Sequence, residues 1–168
     1  DQLTQRDETL QSESSDGWLA VSLARFRIYL QNYDWYAALS EADKINKTRP
    51  DYPDGIILYQ KYLLALQSTL VQHLERKEKY EYWTELERLI HAIDCRNTHL
   101  ADTWLIASIY ARESDQPKLA DEWEMIARTL YAEVDTKDFS TQAARLKEIY
   151  PNLNSYLDAM EGTDADDR

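Results

Sequence analysis

Three glycines and four prolines among 168 residues leave few chain-reversing positions for a sheet protein. Strands are short, every one needs a turn at its end, and glycine and proline punctuate most such turns. Their scarcity predicts long helices joined by a few short loops. A single cysteine, Cys95, excludes an internal disulfide and leaves the redox compartment unread. No stretch approaches the roughly 18 consecutive apolar residues that a membrane-spanning helix needs. The densest run, Ile56 to Leu66, is broken by Gln60 and Lys61, and no signal-peptide core is visible either.

Basic clusters are also missing. The formal charge is −12 and the sequence pI is about 4.6. Nucleic-acid binding requires clustered Lys and Arg against phosphates, and anionic membrane surfaces make the same demand, so neither partner is expected. A neutral or basic protein partner suits this charge, as a matter of long-range steering rather than of specificity.

What is present is ordinary for a folded chain: 43% apolar and 30% charged residues. The length suits one domain, able to bury about 70% of the surface its unfolded form exposes. Residues 1–16 are polar and read as a flexible arm or linker, 17–160 as a helical domain, and 161–168 as a disordered acidic tail. The chain opens at Asp1 without a Met, which reads as a piece excised from a longer protein and leaves its compartment open.

Apolar stripes at helical spacing place the elements. The first helix spans Trp18 to Gln31, with Leu19, Leu23, Phe26 and Leu30 on one face. Asn32-Tyr33-Asp34 interrupts it, and Asp34 suits the N-cap of a second helix from Trp35 to about Lys47. Pro50 forces an end there, because the residue before a proline is pushed out of helical geometry. After Pro50-Asp51-Tyr52-Pro53-Asp54 a long helix is predicted from Gly55 to about Glu75, and a fourth from about Tyr80 to Asp94. A fifth covers Leu100 to Glu113 and a sixth, opened by Pro117, Lys118 to about Ala132. A seventh, Thr141 to Tyr150, is expected to take Ser140 as its cap, and a short piece covers Leu153 to Met160. Seven or eight helices with short loops imply antiparallel neighbours.

Two stretches carry small residues and aromatics at repeat spacing. In one, Trp104, Ala107, Ser108 and Ala111 are followed by Ala120 and Ala127; in the other, Tyr29, Ala38 and Ala42 are followed by Pro50. Both resemble the tetratricopeptide-type helical hairpin. Ala111 and Glu124 depart from the pattern, as do Phe26 and the middle hairpin. The resemblance implies an all-α array of antiparallel hairpins in a short right-handed superhelix, with a groove lined by the first helix of each hairpin. Carried over by position, the groove residues are Leu23, Ala24 and Arg27; then Ile57, Leu58 and Lys61; then Leu105, Ile106, Ile109 and Arg112. The function this implies is a protein–protein interaction module, an adaptor, scaffold or assembly factor that binds a peptide or a helix. A homo-oligomerising structural domain is the first alternative, and a metal-binding or enzymatic domain centred on His91 and Cys95 is the second. Five Trp and twelve Tyr against two Phe favour half-buried rings, which suit interfaces as well as cores.

No phosphate loop, nucleophile elbow or zinc signature occurs, and no cofactor or catalytic residue is expected. His91 and Cys95, four apart on the fourth expected helix, share a face and are the one pair suited to a metal or a nucleophile. His73 and His99 lie far from them in sequence. Asn46-Lys47-Thr48 matches the glycosylation triplet by composition alone.

Overall fold

A computed structural model describes residues 15–93 and 95–166; most of the expected N-terminal arm lies outside them. Among the described residues there are eight α-helices, one 3-10 turn and no strand, an all-α fold. In chain order the helices are α1 (Ser15–Gln31), α2 (Trp35–Thr48), α3 (Gly55–Glu75), α4 (Trp83–His91), α5 (Thr98–Glu113), α6 (Pro117–Val134), α7 (Phe139–Ile149) and α8 (Asn154–Asp166). The 3-10 turn, Pro151–Leu153, precedes α8. The chain divides into two compact units, residues 1–62 and 63–168, with the boundary inside α3.

In the first unit α1 and α2 form a hairpin. Gln31 and Trp35 are separated by three residues, and the reversal uses a Schellman closure, in which amides beyond the helix return to its last carbonyls. Tyr33 N donates to Leu30 O at 3.1 Å and Asp34 N to Tyr29 O at 2.9 Å. Asp34 then caps α2, accepting from Ala37 N at 3.4 Å. Ala38 and Ala42 are fully buried, and with no bulk beyond Cβ they let the two helices approach closely. The first turns of α3 rest on α2. Tyr59 donates to Asp43 Oδ1 at 2.6 Å, Tyr62 donates to Trp35 O at 3.2 Å, and the Tyr62 and Trp35 rings meet edge-on.

In the second unit α5 is enclosed on every side. Each residue from Leu100 to Ala111 is buried, so the helix has no solvent face and no amphipathic stripe. Its hairpin with α6 brings Trp104 against Trp123 at 5.8 Å, alongside the fully buried Ala107, Ala120 and Ala127. Burying polar side chains on α5 demands partners. Asp102 accepts from Tyr131 Oη and from Arg145 Nη2, and Thr103 Oγ1 accepts from Gln67 Nε2 at 2.9 Å.

Three helix ends share one device. α1, α3 and α5 all close in Schellman geometry, and the residue that must adopt left-handed φ is Tyr33 (58°), Lys77 (53°) and Asp115 (64°). Glycine is the usual occupant. Here the three glycines, Gly17, Gly55 and Gly162, all lie within helices instead.

Several boundaries differ from the expected ones. α4 is shorter at both ends; beyond its C-terminal end Asn97 accepts from Leu100 N at 2.9 Å and commits the following residues to α5. The cap of α7 is Asp138 rather than Ser140: its carboxylate takes both Thr141 N and Thr141 Oγ1. α8 continues to Asp166, so most of the segment expected as an acidic tail is helical backbone.

Candidate partner-binding groove

On α1, Leu23, Phe26, Arg27 and Leu30 recur at helical spacing and so share a face. In the first unit that face opposes Ile57, Leu58 and Lys61 of α3, with Tyr52 and Asp54 of the preceding loop at one end. Together they enclose a groove of about 260 Å³. Its floor is apolar, with Phe26 at 2% and Leu58 at 3% exposure. Ile57 stands at the lip, 40% exposed. Arg27 and Lys61 are exposed and come from different helices; neither makes an ion pair or hydrogen bond among the described residues. The same groove carries one carboxylate, Asp54.

The loop geometry follows from local chemistry. Tyr52 N donates to Arg49 O at 2.9 Å and Gly55 N to Tyr52 O at 3.2 Å, turning the chain around the two prolines. Gly55 then opens α3 hard against α2. Asn46 Nδ2 donates to both Ala42 O and Gly55 O at 3.0 Å, and a Cβ on Gly55 would meet Asn46 Oδ1 at 2.3 Å. The amide of the Asn46-Lys47-Thr48 triplet is thus a half-buried brace between helices.

Five of the ten expected contact residues line this groove: Leu23, Arg27, Ile57, Leu58 and Lys61. Ala24 does not. It is exposed on another face of α1, in the company of Val21 and Ile28. Leu105 and Ile106 have no exposure and are core, while Ile109, at 2%, lines with Arg112 a separate cavity of about 340 Å³ in the second unit. The reason is tertiary: α5 is wrapped on every side and presents no free first-helix face. Arg112, expected among the groove residues, is held by Asp121 at 3.0 Å and Glu124 at 3.1 Å. Glu124 departs from the repeat pattern at a position that usually carries bulk, and its carboxylate grips Arg112 and Arg128 together.

His91 and Cys95 do not share a helix face, because α4 ends at His91. The imidazole stands edge-on to Trp104 at 4.6 Å and lies 3.7 Å from Glu87, while Cys95 Sγ accepts from Asn97 Nδ2 at 3.1 Å. Among the described residues no three His, Cys, Asp or Glu side chains converge as metal ligands. No helix among them is long and apolar enough to cross a membrane.

The expected surface omitted Phe26, Leu30, Tyr52 and Asp54, which also line the groove. It omitted, too, a set of rings in the second unit around Tyr80, Trp83 and Tyr110. The excess of Tyr and Trp over Phe pointed toward half-buried rings without saying where they gather. Burial raises the phenol pKa of Tyr62, Tyr110, Tyr131 and Tyr150 above the usual tyrosine value, and nearby carboxylates add to the effect. No family model, no curated protein and no solved structure matches this chain.

Proposed function

We propose that this chain is a protein-interaction module whose first unit takes an apolar peptide segment carrying a carboxylate. One observation carries this reading. Arg27 and Lys61, from different helices, flank a single apolar groove in an otherwise acidic chain, and among the described residues neither makes an ion pair. A peptide side chain on Phe26 and Leu58 gains from leaving water, and its carboxylate gains charge-assisted hydrogen bonds beside a low-dielectric floor. Resemblance to tetratricopeptide-type hairpins supports the same class of function, an adaptor or assembly factor.

The test uses a randomised peptide library displayed on phage and selected on the intact chain. Enriched sequences should combine apolar residues with Asp, Glu or a free C-terminus. Arg27→Glu with Lys61→Glu should leave the thermal midpoint nearly unchanged. The same double variant should weaken the selected peptides by about 1–3 kcal/mol for each charged hydrogen bond lost. Equal binding to the charge-reversed protein would refute the groove.

A second reading, self-association, rests on a different surface. Val21 and Ile28 are 51% and 52% exposed on α1, near the exposed Ala24. Light scattering on the eluting protein distinguishes the two: a dimer that Val21→Lys with Ile28→Lys dissolves favours this one, and a concentration-independent monomer removes it.

A further inference from the structure

The second unit holds a larger cavity, about 560 Å³, at the ends of several helices. Tyr80, Trp83 and Tyr110 form one aromatic wall of edge-on and tilted rings, in which Tyr110 is buried and Tyr80 and Trp83 are half-buried. Their ring centroids lie 4.9 Å apart for Tyr80 and Trp83, 5.4 Å for Trp83 and Tyr110, and 5.9 Å for Tyr80 and Tyr110. Tyr156 of α8 is a fourth ring of the lining. Three carboxylates of the lining, Glu81, Glu113 and Asp115, are exposed and make no ion pair among the described residues. A fourth, Glu78, is already engaged by His73 and Arg76.

Two further features give the cavity its sign. α3 ends at Glu75 and α5 at Glu113, so both C-termini abut it and bring the negative ends of two helix dipoles. Lys77 and Asp115, two of the three non-glycine residues with left-handed φ, also line it. The phenol of Tyr156 has its pKa raised by burial and by the charge of Glu113, as expected where a ring and a carboxylate lie close together. Lys77 and Lys79 stand on the same lining and oppose a cation, but both are exposed.

We propose that this cavity binds an arginine side chain of a basic partner peptide, its guanidinium flat on the aromatic wall and its N–H groups donating to Glu113 and Glu81. Charge complementarity decides the sign of the occupant: most of the net −12 lies in the second unit. The aromatic wall decides between the two basic side chains, because a planar, weakly hydrated guanidinium stacks on rings and forks onto carboxylates where an ammonium does neither as well. The unit already uses both contacts internally. Arg128 lies over the Phe139 ring at 3.8 Å, and Arg112 is gripped by Asp121 and Glu124. This site is separate from the groove of the first unit and does not depend on it.

The experiment is calorimetric titration of the whole chain with a nonapeptide of alternating Arg and Gly, against its Lys and Gly counterpart. The arginine peptide should bind several-fold more tightly than the lysine one. Glu81→Gln with Glu113→Gln should weaken it by roughly tenfold, the size expected for one charged hydrogen bond. Glu122→Gln with Glu148→Gln, which removes the same charge from exposed positions on α6 and α7, should change it less than twofold, as surface charges at a distance do. Tyr80→Ser, which removes a ring of that wall, should abolish the preference for arginine while circular dichroism shows the helices intact, and a preference that survives it would overturn the stacking. Absence of binding, equal affinity for the two peptides, or equal losses in the two Glu→Gln pairs would each overturn the proposal.

Discussion

Arg145 Nη2 donates to Asp102 Oδ1 at 2.6 Å, joining α7 to the buried middle helix across 43 positions of sequence. Asp102 is almost wholly buried and accepts from Tyr131 as well, whereas the Arg145 side chain is about a third exposed. Removing the carboxylate orphans a buried phenol and a half-buried cation together. Asp102→Ala should therefore cost about 3 kcal/mol in urea unfolding, the lower end for a broken buried pair because Arg145 can reach water. Tyr131→Phe should cost about 1 kcal/mol. Combining Asp102→Ala with Arg145→Met should cost less than the two changes summed, since both remove one interaction; strict additivity would show that the pair is not coupled.

The left-handed helix ends make a prediction of opposite sign. A β-carbon in this conformation costs about 1 kcal/mol, partly offset by the freedom glycine adds to the unfolded chain. Lys77→Gly should stabilise the protein by about 0.5 kcal/mol, seen as a higher urea midpoint. Asp115→Gly should gain less, because Asp tolerates this region better than Lys does. Tyr33→Gly should gain least, since it also removes a ring whose centroid lies 6.1 Å from that of Trp35. A fall in stability for Lys77→Gly would contradict the strain argument.

Gly55 is needed for space and not for φ. Adding one methyl drives a Cβ into Asn46, so Gly55→Ala should destabilise by about 1–2 kcal/mol through overpacking and lost hydrogen bonds. If the clash is with that side chain, Asn46→Ala in the Gly55→Ala background should cost markedly less than it does in the wild type. A full additive cost would place the strain elsewhere.

Alkaline titration reads the buried phenols. Tyr62, Tyr110, Tyr131 and Tyr150 have folded-state pKa values above the usual 10.0, raised first by burial. A raised folded value means that the unfolded chain loses these protons first. Their contribution to stability is complete below the ordinary tyrosine pKa and is lost as pH rises through the folded values. Tyrosinate absorbance should show these four rings ionising late, in a cooperative step coincident with loss of helix. A single smooth titration of all twelve tyrosines with the fold intact would contradict this assignment.

How far the sequence reaches can be argued from particular residues. The span of α3 is as expected, as are the start of α2 and the end of α5, because periodicity, Asp34, Pro50 and the scarcity of glycine act within a turn or two of the chain. The groove of the first unit was half legible: Leu23 and Arg27 follow from one helix face, Ile57 and Lys61 from another. Tyr52 and Asp54 join them only through the turn that precedes Gly55. The same reasoning failed for Leu105 and Ile106, where an apolar helix reads alike whether it lines a groove or fills a core.

Local sequence determined that this chain is helical, where most helices begin and end, and that it carries far more acid than base. Tertiary structure alone decided that α5 is enclosed, that Arg112 is occupied by Glu124, that Asp102 meets Arg145, and that four rings and four carboxylates line one cavity. Caps and helical stripes are set by residues three or four apart. Burial and pairing depend on side chains tens of positions away, whose approach no local pattern encodes.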